Sequence, residues 1–345
     1  MKTNKKLVSM ILFVSLIVPM VAVQLVEANA SQYPNSSQTG LKIVASTAIP
    51  ADIVKNILGD KGTVEAILTT PDEETIHHFE GPTEAQKVTI KEANLFVAFG
   101  IEKVEPWVKS TMDSLGSQAP AVFNLSTPTM LKADPLIENQ ANPHIWMDPN
   151  NIKIMASLLT QKLIEIDASN AAYYTTQNAS YQAKLDGLLS RIQGNRSTYE
   201  GLKVVVNHPA YTGFLDLLGI QQIAAIDVHG EHEEEAAAAH IQEIKEKMVE
   251  QNVSIIVTSP MGNNMEVNEL ARAAKAKIVY IAALLYMKDE NGNELKDYIQ
   301  MMDYNLRALG LPKDPPAEID GFSMILPITA LGVAAIALFI KKKNL

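Results

Sequence analysis

Three hydrophobic patterns divide the chain. Residues 7–26 are nearly all apolar, and so are residues 322–340, which hold one Pro and no charge. Between them, short apolar runs alternate with segments whose apolar residues recur at helical spacing. Residues 41–46 read as a first strand. Residues 50–58 read as a helix closed by Gly59. Strands over 64–68, 95–99 and 122–123 then alternate with helices over 85–92 and 105–115. From 150 to about 199 the pattern is all helical. Ile152, Met155, Leu159, Leu163 and Ile166 keep one face, Asp167 to Asn170 break the run, and a second helix is predicted over 171–192. Alternation resumes with strands over 203–207, 223–226, 255–258 and 278–282, and helices over 210–218, 236–251, 266–274 and 297–309. Strands separated by helices imply parallel sheets. The expected fold is α/β, with two lobes (41–150 and 201–310), each a parallel sheet flanked by helices, joined by a helical linker over 151–200. Ligands in such sheets sit beyond the carboxyl ends of the strands.

The two apolar ends change the class. Lys2, Lys5 and Lys6, the apolar run and Ala28-Asn29-Ala30 make residues 1–30 a secretory signal, with an uncleaved N-terminal anchor as the alternative. Residues 322–340 approach the roughly 20 residues needed to cross a bilayer, and Lys341, Lys342 and Lys343 would stay cytoplasmic. Residues 31–40 form a polar, mobile leader, residues 311–321 a proline-containing stem, and residues 341–345 a cytoplasmic tail. The expected protein is exported and tethered from outside by a transmembrane helix. The formal net charge is −10, from 29 basic and 39 acidic residues. Six of those bases and one acid lie in the ends, so residues 31–320 carry 23 − 38, or −15. An acidic surface argues against a nucleic-acid partner. The chain has no Cys, which excludes disulfides, thiolate zinc sites, a Cys nucleophile and a lipid-bearing N-terminal Cys. A peptide anchor without Cys suggests an archaeal-type cell surface. Asn35, Asn124, Asn178, Asn195 and Asn252 open Asn-x-Ser sequons.

The seven histidines carry the chemistry. His77 and His78 follow the second strand. His144 sits in Asn142-Pro143-His144-Ile145-Trp146-Met147-Asp148-Pro149, and His208 directly follows the strand over 203–207. Three loops could each bring one imidazole to a divalent ion in the cleft; three unrelated surface histidines are the alternative.

With these residues in place, the chain resembles the extracellular zinc/manganese-binding component of metal-uptake ABC transporters, of the zinc-uptake subgroup of cluster A-I solute-binding proteins. The Pro-His-Ile-Trp-Met-Asp-Pro block is specific. His77-His78-Phe79-Glu80, Asp167 to Tyr174, His208 and the segment from Asp297-Tyr298 to Asn305-Leu306 support it in order. The resemblance implies metal ligands at His77, His144 and His208 and a rigid linking helix that permits little closure. It also implies delivery of the metal to a membrane permease driven by a cytoplasmic ATPase. Three departures stand out. Gly81 precedes Pro82, Thr258-Ser259-Pro260 lacks a Glu before its Pro, and Ala282 stands where the family often has an acidic ligand. Loss of that carboxylate tilts the expected cargo towards Zn²⁺, with Mn²⁺ as the alternative.

Residues 227–235 pack Asp227, Glu231, Glu233, Glu234 and Glu235 with His229 and His232. They either complement the dipole of the following helix or collect cations. His229, His232 and Glu231 are the candidates for a fourth or auxiliary ligand. Glu80 could orient a ligand histidine through its second ring nitrogen, and His78 either does the same or faces solvent. His240 is expected at the surface. Three histidines around an open position would also suit a zinc hydrolase, but there is no His-Glu-x-x-His motif, and no catalytic residue is assigned. Surface adhesion or scaffolding with a structural metal is the remaining alternative.

Overall fold

The computed structural model describes residues 40–72, 75–76, 78–227, 234–261 and 264–316, with backbone alone for 234–238. The expected signal (1–30), the leader up to 39, the membrane-spanning stretch (322–340) and its tail (341–345) lie outside the described residues, as do His77, His229, Glu231 and His232. Among the described residues no helix is long and apolar enough to cross a membrane.

Strand β1 (Leu41–Thr47) buries five residues in a row from Ile43, as a strand covered on both faces must. It pairs in parallel with β2 (Gly62–Leu68) and β3 (Leu95–Ala98), and β4 (Val122–Asn124) extends the sheet to the order β2-β1-β3-β4. The second sheet repeats this plan with β5 (Lys203–Val206), β6 (Gln221–Ala225), β7 (Ile255–Thr258) and β8 (Lys277–Tyr280). Its order is β6-β5-β7-β8, again all parallel. In each sheet the strand order reverses beside the first strand, which opens a crevice at the carboxyl edge.

The helices are α1 (Ala48–Leu58), α2 (Glu84–Lys91), α3 (Pro106–Leu115), α4 (Pro149–Ile166), α5 (Ala171–Tyr199), α6 (Thr212–Leu217), α7 (Glu234–Glu250), α8 (Met265–Ala274) and α9 (Tyr298–Leu309). Ile90, Trp107 and Leu115 from α2 and α3 pack with Val44 and Phe96 on one face of the first sheet. Ile244, Met248, Val267 and Leu270 from α7 and α8 do the same for Val205, Ile256 and Ile278 of the second. The largest core lies between the sheets. There α1, α4, α5 and α9 bury Ile53, Met155, Leu185 and Met301 against both lobes.

Helix α5 links the lobes. Its 29 residues span roughly 43 Å at about 1.5 Å per residue. Gly59, at φ 55°, ends α1 so close to this helix that a Cβ would lie 2.1 Å from the Tyr173 hydroxyl. At the other end, Arg191 makes a two-pronged pair with Asp303 of α9 at 2.8 and 2.9 Å. The helix runs past residue 192, where the apolar pattern stops. Its polar last turns find partners in the second lobe, for the Arg196 guanidinium donates to the carbonyls of Asp216 and Leu217.

Two other boundaries differ from expectation. The helix expected over 210–218 opens with a 3₁₀ turn, Pro209–Tyr211, before α6. Strand β8 ends at Tyr280 rather than at 282, although Ile281, Ala282 and Ala283 stay fully buried. The Asn305 amide takes over from the ladder, accepting from Ala282 N–H at 2.8 Å and donating to its carbonyl at 2.7 Å. The start of the expected stem is docked: Lys313 exchanges both backbone hydrogen bonds with Ile278 at 2.7 and 2.8 Å, covering the open edge of β8.

Candidate metal centre

His208 stands just beyond the carboxyl end of β5, at the start of the turn Pro209–Tyr211. His144 arrives from the first lobe, on the segment that leads into α4. The two imidazoles meet at right angles, ring centres 4.9 Å apart, with their Nε2 atoms 3.3 Å from each other. Both side chains are buried. The Nδ1 of His208 lies 3.5 Å from the Asp227 carboxylate at the end of β6, which remains half exposed.

The segment carrying His144 is fixed on every side. Asp148 caps α4 by accepting from Asn150 N–H at 2.9 Å, and its other oxygen meets Lys132 at 3.2 Å. Asn151 donates to the Ile145 carbonyl at 2.8 Å. The Trp146 indole stacks on Phe99, centres 4.9 Å apart, and donates to the Ala283 carbonyl at 2.7 Å. Tyr298 donates to the Trp146 carbonyl at 2.7 Å. Gly213 lets α6 approach this segment, since a Cβ there would lie 2.9 Å from Asp148 N. Behind His144, Lys132, Asp148 and Asp216 line a pocket of about 20 Å³, roughly room for one water. Burial there raises the Asp216 carboxyl above the usual range, with Lys132 opposing.

Asn142 joins the two histidine segments. Its Oδ1 accepts from the His144 backbone N–H at 2.9 Å and lies 3.0 Å from His144 Nδ1. Its Nδ2 reaches the carbonyl of Pro209, next to His208, at 2.8 Å, Asp134 Oδ2 at 2.9 Å and Thr212 Oγ1 at 3.1 Å. The other oxygen of Asp134 accepts from Leu136 and Ile137 N–H at 2.8 and 3.2 Å. Asn142 and Asp134 were not singled out by sequence; the available signal is an amide two residues before His144 inside the specific block.

The remaining expected residues fall differently. His78 and Glu80 are exposed. Ala282 is fully buried, with its backbone held by Asn305. His240 is not a plain surface residue: it is half-buried, 2.9 Å through Nε2 from the carbonyl of Ala225 at the end of β6. Glu105, expected only as a helix start, is a buried carboxyl that accepts from Phe99 and Gly100 N–H at 3.2 and 3.0 Å and from the Ser46 hydroxyl. Burial pushes it up to about 7. Among the described residues no group of three or more His, Asp or Glu could hold a metal ion. They supply His144 and His208, and His77 lies outside them.

Against this geometry, the sequence model of the family described as zinc-uptake complex component A, periplasmic, matches residues 43–310. The chain belongs to this family. The chain is similar to the iron-binding protein YfeA of Yersinia pestis, 32% identical over 162 residues. That stretch covers 47% of this chain, and the chain spans 50% of YfeA's length. A manganese ABC transporter substrate-binding lipoprotein, PsaA of Streptococcus mitis, is 26% identical over 88% of this chain and 97% of its own. Among solved structures of the family's fold, the metal-dependent lipoprotein YcdH of Bacillus subtilis superposes with a TM-score of 0.60 at 26% identity. The match covers 78% of this chain and 98% of YcdH. This chain shares that fold, with two parallel sheets flanked by helices and a long helix linking the lobes.

Proposed function

We propose that this chain is the extracellular receptor of a metal-uptake ABC transporter, capturing Zn²⁺, with Mn²⁺ as the alternative cargo, through His77, His144 and His208. The carrying observation is the pairing of His144 and His208 across the lobes. Two nitrogens that each bind one tetrahedral zinc at about 2.0–2.1 Å lie roughly 3.3–3.4 Å apart, and these two Nε2 atoms are 3.3 Å apart. Ala282 offers no carboxylate at the place where the family often has an acidic ligand, which favours zinc over an oxygen-preferring ion.

The reading is of a receptor rather than an enzyme. Asp148, the acid nearest His144 in sequence, is engaged in capping α4 and in its pair with Lys132. The name of PsaA places it with an ABC transporter. A permease and a cytoplasmic ATPase are the partners proposed here, because this chain carries no phosphate-binding Gly-Lys loop. Related proteins are called lipoproteins. This chain has no Cys to carry a lipid, so residues 322–340 are proposed as a peptide anchor that takes its place.

Calorimetric titration with Zn²⁺ tests the site. About one ion per chain is expected, with tighter binding than for Mn²⁺ in competition and loss of binding in His144→Ala and His208→Ala. Unchanged zinc affinity in the double variant would refute it.

A further inference from the structure

We infer that Asn142, held in place by Asp134, positions the metal site by fixing the tautomer of His144 and the spacing between His144 and His208; this deepens the metal-capture reading and rests on it. An amide has two unlike ends, and here the surroundings leave one orientation. The His144 backbone N–H at 2.9 Å requires an acceptor, so the near atom is oxygen. On the far side stand three acceptors: the Asp134 carboxylate, the Pro209 carbonyl and the Thr212 hydroxyl. The Asp134 carboxylate is itself turned towards Asn142 by the backbone N–H groups of Leu136 and Ile137 on its other oxygen. A flipped amide would set two donors face to face and a carbonyl against a carboxylate.

With Oδ1 fixed as the acceptor, His144 must place its ring proton on Nδ1, 3.0 Å away. A neutral imidazole then presents the lone pair of Nε2, and that atom faces His208. With His144 so fixed, the 3.3 Å contact between the two Nε2 atoms is a hydrogen bond donated by His208, and a cation bound between them would displace that proton. The Asp227 carboxylate then favours the same arrangement in His208, with the proton on Nδ1. The donor end of the same amide holds Pro209, the residue after His208, so one side chain sets the separation of two ligands 64 positions apart. Asn142 is 7% exposed and Asp134 8%, so bulk water has little access to these bonds.

The test uses the full-length protein labelled with ¹⁵N-histidine. Ring nitrogen shifts of the metal-free protein report the His144 tautomer, assigned by difference from His144→Ala, and a chelating dye reports zinc affinity. The parent is expected to hold the proton on Nδ1. Asn142→Leu removes both ends of the amide, and should lose the fixed tautomer and weaken zinc binding roughly 10–100-fold. Asn142→Asp keeps the acceptor alone. It should retain the tautomer yet still weaken zinc binding, because the tie to Pro209 is gone. An unchanged tautomer in Asn142→Leu, or parental zinc affinity in both variants, overturns the inference. A parent that binds no zinc would sink the metal-capture reading instead, and the tautomer measurement in the metal-free protein tells the two failures apart.

Discussion

Asp52 should make this protein less stable as the pH rises through the acid range, and Asp52→Asn should remove that effect. The residue lies on α1 with 7% of its surface exposed. One of its oxygens accepts from Tyr298 N–H, the first amide of α9, at 3.2 Å. Burial raises its carboxyl from 3.8 to about 6; the neighbouring Asp297 pushes the same way, while the Tyr298 bond, Lys55 and Lys184 oppose it. At about 1.4 kcal/mol per pKa unit, that rise corresponds to about 3 kcal/mol. The folded state keeps its proton up to about pH 6, whereas the unfolded chain releases it near 3.8. The favourable contribution is therefore complete below pH 3.8 and is lost as the pH climbs through 6. Above that the fold carries a buried carboxylate. Asparagine keeps an oxygen for Tyr298 and cannot ionise. The variant should exceed the parent by up to about 3 kcal/mol at pH 7.5, with the gap closing towards pH 4. Urea unfolding of the chelator-treated protein between pH 4 and 8 measures it. A pH-independent gap, or a less stable variant at pH 7.5, would refute the reasoning. The latter would mean that the charge gains more from the N-terminus of α9 and the two lysines than burial costs.

Three further outcomes are expected. Gly213→Ala places a methyl group 2.9 Å from Asp148 N and 3.0 Å from the Met147 carbonyl carbon; it should cost about 1–3 kcal/mol in thermal or urea unfolding and weaken zinc binding, because the strand of chain it displaces carries His144. Thr83→Ala removes the reciprocal cap with Gln86 on α2 and should cost about 1 kcal/mol while leaving zinc affinity at the parental value. Ending the chain after Pro316 should move the protein from the membrane pellet to the soluble fraction with its zinc affinity intact; continued pelleting of a truncated chain shown by N-terminal sequencing to have lost residues 1–30 would refute the peptide anchor.

Much of the fold was legible because a parallel sheet buries both faces. Ile255–Thr258 and Lys203–Val206 are apolar runs between helical patterns, and the strands fall there. What misled the reading was apolar chain without a ladder. Ile281 to Leu285 stay buried as irregular backbone, held by the Asn305 amide and the Trp146 indole, and periodicity cannot separate such a run from a strand. The polar end of α5 failed in the opposite way, since its partners are carbonyls that no local pattern reveals. In the site, the loop positions of His144 and His208 were legible from the alternation of strands and helices, while their choice as candidate ligands came from the resemblance carried by the Pro-His-Ile-Trp-Met-Asp-Pro block. The role of Asn142 was not legible, because its partners lie 8, 67 and 70 positions away.

The bonds around His144 also bear on how the proposed receptor would operate. Trp146 ties this segment to Ala283 of the second lobe, Tyr298 donates to the Trp146 carbonyl, and the amide of the same tyrosine reaches Asp52 in the first lobe. A hinge that opened the cleft would have to break these buried hydrogen bonds together, at about 0.5–1.5 kcal/mol apiece once water replaces the lost partners. The cost of ordering His144 and His208 is then met during folding rather than on binding, so affinity reflects the ligands themselves. By the same logic, release of the proposed cargo would require a change at the ligands or in the loops that carry them, not a wide separation of the lobes.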